Sequence, residues 1–185
     1  MFRLILPFVV LSFSMPAWAQ TFTIDHIIDG ETIQMTNGEI VRLAAIDISF
    51  GRTLVDNGSV RQAAEDFLRA LSLKGKDVRL EFAVPAKDPD GKLWAYVYVR
   101  EPTALRDTYL AFGDTDPVEK GLKGSLYYEI FLNAKMIRFG HARPSNVRPN
   151  AKYSEMLNRL HQEAFEDRRG FYRYWDKGVP DGTYY

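Results

Sequence analysis

Apolar and polar positions change their period along this chain, and each change predicts an element. Phe22 to Ile28 alternates weakly and predicts a strand, as does Thr32-Ile33-Gln34-Met35. Thr36-Asn37-Gly38 between them and the next run is a hairpin signal, because Asn and Gly tolerate positive φ. Ile40 to Ile46 predicts a third strand. From Ser59, a plain N-cap, the period becomes helical: Ala63, Ala64, Phe67, Leu68 and Leu71 share one face, and Lys74-Gly75-Lys76 ends it. Val78 to Val84 and Leu93 to Val99 predict two more strands, joined by the turn Lys87-Asp88-Pro89-Asp90-Gly91-Lys92. Ile130 to Phe139 shows a short helical period ending at Gly140. Tyr153 to Arg169 predicts the last helix, with Met156, Leu157, Leu160, Ala164 and Phe165 inward and Gly170 as its stop.

Three strands, a helix, two strands and two helices make an α+β chain. That order suits a small OB-type barrel with a helix across one end. Residues 101–128 are polar and broken by glycine and proline, which predicts an insertion. Residues 171–185 form an aromatic tail, expected to pack in large part against the last helix and the barrel. Met1-Phe2-Arg3, the apolar run Leu4 to Phe13 and Ala17-Trp18-Ala19 predict a secretory signal peptide over residues 1–19. The run is short for a membrane span of about 20 residues. The expectation is a single domain over residues 20–185, periplasmic or secreted, monomeric and free of the membrane after cleavage.

Composition narrows the chemistry. The chain has no cysteine, which excludes disulfides, thiolate zinc sites and a cysteine nucleophile. His26, His141 and His161 lack any zinc-binding spacing, and no P-loop or Gly-x-Ser-x-Gly is present. Lys+Arg and Asp+Glu both number 24, so there is no general pull on nucleic acid, and any such binding is expected to be weak. The charge is uneven: from residue 135 onward the count is 10 basic to 6 acidic. Arg138, Arg143, Arg148 and Lys152 form a basic set there, either a polyanion site or a solvated face.

Several segments, in order, resemble the staphylococcal-nuclease-like (thermonuclease) family. Ile28-Asp29-Gly30-Glu31-Thr32-Ile33 looks like its Asp-Gly-Asp-Thr motif, and Val41-Arg42-Leu43-Ala44-Ala45-Ile46-Asp47 like its Val-Arg-Leu-x-x-Ile-Asp strand. Asp88-Pro89-Asp90-Gly91-Lys92-Leu93-Trp94-Ala95-Tyr96-Val97-Tyr98 is similar to its Asp-x-Tyr-Gly-Arg-x-Leu-Ala-Tyr-Val-Tyr segment. Asn133, Arg138-Phe139-Gly140 and Ala142 match its Asn and Arg-x-Gly-x-Ala helix, and Arg168-Arg169-Gly170-Phe171-Tyr172 its closing Arg-Gly-Leu-Trp. The resemblance spans roughly residues 22 to 175. It implies a five-stranded OB-type barrel with three helices.

It also implies calcium-dependent hydrolysis of DNA and RNA phosphodiesters, and it assigns parts. Glu31 stands for the first metal aspartate, Asp47 for the second, and Ile48 supplies the main-chain oxygen. Arg42 and Lys92 stand for the two phosphate arginines, with lysine lacking the two-pronged fork. Phe50 stands where a glutamate serves the attacking water, and a phenyl ring accepts no proton. Losing a positioned base forfeits about 10²–10⁴ in rate. Asp90 replaces a tyrosine of the nucleotide pocket, and Arg138, Arg143 and Arg148 are further candidates for ligand contact. Glu31 and Asp47 either hold calcium or pair with Arg42. The expected function is a thermonuclease relative with an incomplete catalytic set that binds a ligand or a protein partner. The alternatives are an active calcium-dependent nuclease and a structural envelope protein that binds neither metal nor nucleic acid.

Overall fold

A computed structural model describes residues 22–49, 59–102, 127–145 and 152–174. Its elements are β1 (Phe22–Asp29), β2 (Thr32–Met35), β3 (Ile40–Leu43), β4 (Ile46–Asp47), α1 (Val60–Ala70), β5 (Asp77–Lys87), β6 (Leu93–Pro102), β7 (Tyr127–Phe131), α2 (Leu132–Arg138), β8 (Arg143–Pro144) and α3 (Ser154–Glu166). A 3-10 turn, Gly170–Tyr174, follows. The predicted signal peptide, Phe50, Arg148, the centre of the insertion and the end of the aromatic tail lie outside the described residues.

The main sheet runs β3-β2-β1-β5-β6-β7 and curls so strongly that β3 also lies parallel to β6. The β2–β3 hairpin turns where its residues allow: Gly38 sits at φ 87°, and the Asn37 side chain accepts from the Glu39 amide at 3.1 Å. Buried Ile24, Ile33, Val41, Leu43, Val97 and Val99 of the sheet belong to one core cluster. The helices cover them with Leu68 from α1, Met136 and Ile137 from α2, and Leu157 and Leu160 from α3. This is the mixed α+β architecture that the sequence pattern and the resemblance both predict, with β1, β2, β3, β5 and β6 as the five expected strands.

Two boundaries differ from the pattern. The stretch beginning at Ile130 is not helical throughout: Tyr127–Phe131 is β7, and α2 starts only at Leu132. The buried run Ile130-Phe131-Leu132 reads equally well as strand or helix, and pairing with β6 decides it. The two ends of the expected insertion are therefore ordered strands, paired from Tyr98↔Phe131 to Pro102↔Tyr127. The third predicted strand is also broken. Ala45 turns the chain at φ 57°, leaving Ile46–Asp47 to pair with β8 instead of β2.

Asn133 is fully buried and ties three elements together. Its amide donates to the Ala44 carbonyl at 2.7 Å, and its oxygen accepts from the Val97 amide at 2.9 Å. It thereby satisfies backbone groups inside the core. Within the tail, Phe171 and Tyr172 pack with Val60 and Ala164, as the aromatic pattern predicts for those two residues. Gly140 is required where this turn meets α2, because at φ 72° a Cβ would sit 2.3 Å from the Arg169 carbonyl oxygen.

Candidate functional site

The β1–β2 turn, β3 and the β5–β6 turn bring Glu31, Arg42 and Asp88 to one mouth of the curled sheet, with Asp47 of β4 close enough to act on Glu31. Glu31 is placed by its backbone. Its amide donates to Asp29 Oδ1 at 2.9 Å, and its carbonyl accepts from the Leu43 amide at 2.8 Å. The next residue, Thr32, lies opposite Arg42 in the β2–β3 ladder, which brings Arg42 to the end of β2 that Glu31 precedes. Arg42 Nη2 donates to Glu31 Oε1 at 2.8 Å, and Nη1 stands 3.5 Å from Asp88 Oδ2. Asp88 also shapes the turn that carries Lys92: its Oδ1 accepts from the amides of Asp90 and Lys92, both at 3.0 Å.

Asp47 faces a different cation. Cross-strand pairing of β4 with β8 sets it opposite Arg143, whose Nε and Nη2 both reach Asp47 Oδ2 at 2.8 Å. The other oxygen, Oδ1, accepts from the Ser49 amide at 2.7 Å and from the Ser49 hydroxyl. Burial pushes the Asp47 carboxyl up, but the Ser49 hydrogen bonds and Arg143 outweigh it and hold it below the usual range. Glu31 moves the other way. Burial raises its carboxyl and Asp29 and Asp47 add to that, against the lowering pull of Arg42 and Arg61.

Glu31 and Asp47 have the hard oxygens that a calcium ion prefers. Both are already engaged by neighbouring side chains. Each Asp47 oxygen already accepts two donors, and Glu31 shares its carboxylate with Arg42. Among the described residues no group of three His, Asp or Glu side chains converges as a metal site. Ile48 has its side chain buried at the edge of the core.

The remaining candidates are dispersed. Lys92 Nζ lies 3.3 Å from Asp90 Oδ2, on an exposed corner of the turn. Arg138 closes α2, where its carbonyl accepts from Arg169 Nη1 at 3.3 Å. Arg143 and Lys152 are not two cations of one open patch. Arg143 is held by Asp47, and Lys152 Nζ reaches Glu81 Oε1 at 2.6 Å. Of the two expectations for Glu31 and Asp47, pairing with Arg42 holds for Glu31, while Asp47 pairs with Arg143.

Sequence reasoning missed two contacts and one nearby charge. Asp88 is readable as a turn residue, but turn aspartates are ordinarily exposed, and nothing local signals its burial against Arg42. The Asp47–Arg143 pair joins residues 96 apart in the chain. Arg61, in the first turn of α1, acts on Glu31 because Gly30 lets the helix press against the β1–β2 turn.

The fold and the mouth together are those of a mixed α+β, OB-like protein with paired carboxylates and cations at one end of a curled sheet. The chain is similar to a thermonuclease from Staphylococcus hyicus, with 28% identity over 149 residues that cover 78% of this chain and 71% of the relative. This similarity supports a relationship to staphylococcal nuclease-like proteins. No family model matches the chain. No described helix is long and apolar enough to cross a membrane.

Proposed function

We propose that this is a secreted or periplasmic nuclease-like protein whose mouth binds a phosphate-bearing ligand through Arg42 and Lys92, and whose cleavage of phosphodiesters is absent or very slow. The observation that carries this reading is that the carboxylates of the mouth are already neutralised from within. Arg143 and Ser49 occupy Asp47, and Arg42 occupies Glu31. A divalent ion would have to displace Ser49 or Arg143 from Asp47, and at Glu31 it would share the carboxylate with Arg42. Phe50 adds to the argument at the level of sequence, because no carboxylate stands at that position to orient water.

The second reading is an active calcium-dependent nuclease. Glu31 favours it, since a carboxyl raised by burial and by the neighbouring acids Asp29 and Asp47 is one that an added cation would relieve. Assay of purified protein with labelled single-stranded DNA, with and without calcium, separates the two. The binder is expected to retain the DNA at low salt without cutting it. Calcium-dependent turnover that disappears in Asp47→Asn would establish the nuclease instead.

A further inference from the structure

Asp88 is the most enclosed acid of the mouth, its side chain only 2% exposed. Its Oδ2 is buried and has no hydrogen-bond partner among the described residues. A carboxylate so placed is tolerated when an opposite charge stands near, and Arg42 Nη1 stands 3.5 Å away. Its other oxygen holds the Asp90 and Lys92 amides at 3.0 Å. One carboxylate thus reaches Arg42 through charge and Lys92 through the backbone of its turn. Glu31 holds the opposite arm of the same guanidinium at 2.8 Å, so Arg42 is fixed at two corners.

We propose that Asp88 is a positioning residue that locks Arg42 and the Lys92 turn into one two-cation seat for a phosphate group. The seat rests on the ligand reading given above. A guanidinium recognises phosphate through a planar fork and must be aimed, whereas a lysine acts as a point charge whose place is set by its turn. If Asp88 served only as a turn cap, Oδ1 alone would suffice, and the neutral amide of asparagine would do the same work.

Asp88→Asn makes that distinction, because it keeps a turn acceptor and removes the charge facing Arg42. Two readouts are taken on the full-length protein: ¹⁵N spectra of the Asp90 and Lys92 amides and of the Arg42 Nε–H, and binding of a labelled single-stranded deoxyoligonucleotide at low salt. Coulomb's law alone says that removing an acid from the mouth strengthens polyanion binding. Positioning says the reverse. The expected result is unchanged Asp90 and Lys92 amides, a shifted or broadened Arg42 signal, and an affinity about tenfold weaker. An unchanged Arg42 signal, or an affinity equal to or above the wild type, overturns the proposal. Should the asparagine variant not fold, Asp88→Ser supplies the neutral acceptor in its place. If wild-type protein does not bind the oligonucleotide, the ligand reading fails, and the Arg42 signal still decides whether Asp88 positions it.

Discussion

Arg42 is the ion-pair partner of both Glu31 and Asp88. Removing one side of an enclosed ion pair leaves the other charge without compensation, which is worse than never having built the pair. Arg42→Met should therefore lower unfolding free energy by about 2–4 kcal/mol at pH 7, by urea denaturation. The deficit should shrink in acid, because Glu31, already raised by burial, takes up a proton there and no longer needs its partner. An equal deficit at pH 7 and pH 4 would contradict this account. At this scale the sequence was informative about identity and silent about partners. The resemblance selected Glu31, Arg42, Asp47 and Lys92, of which Glu31 and Arg42 meet directly while Asp47 pairs with Arg143 and Lys92 with Asp90. The Arg42–Glu31 and Asp47–Arg143 pairs depend on strand register, and a one-residue slip in β2–β3 or β4–β8 would turn one partner to the other face.

The seat of α1 decides where Glu31 stands. A Cβ on Gly30 would fall 2.7 Å from the Ala64 Cβ and 3.0 Å from the Arg61 carbonyl oxygen and the Glu65 amide. Two of those three atoms are helix backbone and cannot swing aside. Gly30→Ala is expected to push α1 off the β1–β2 turn and to cost about 1–3 kcal/mol. A lowered urea midpoint with an unchanged slope is the measurement, and a midpoint equal to wild type would rule out the close contact. The helix itself was legible. Ser59 accepts from the Gln62 amide at 3.2 Å as a cap should, and Ala64 and Leu68 of the predicted face are buried. The β7–α2 junction was not legible, since an apolar run buried on all sides has no period to read.

Across the whole molecule, acid should destabilise the fold through its histidines. His141 is stacked on Phe67 at 4.3 Å between ring centroids, and burial followed by Arg173 pulls its pKa from 6.5 down to about 4. The folded state therefore binds fewer protons than the unfolded chain between those two values. Stability is fully present above pH 6.5, falls as pH drops toward 4, and levels off for this group below it, a loss of up to about 3 kcal/mol. His161, lowered by burial and by Arg143, acts in the same direction. His141→Phe keeps the stack on Phe67 and removes the proton site. Its urea midpoints should vary less from pH 7 to pH 4.5 than those of the wild type, and parallel profiles would show that His141 does not carry the effect. What the sequence by itself determined was local: the strand and helix periods, the caps and turns, the absence of cysteine chemistry, and the residue types available to a phosphate or a metal. Such features depend on neighbours a few positions away, where backbone geometry and side-chain period act directly. Only the tertiary structure decided that Arg143 lies against Asp47 and that Asp88 is buried beneath Arg42. Those contacts join separate strands and turns, and whether a charged side chain is solvated or paired depends on what the fold places beside it.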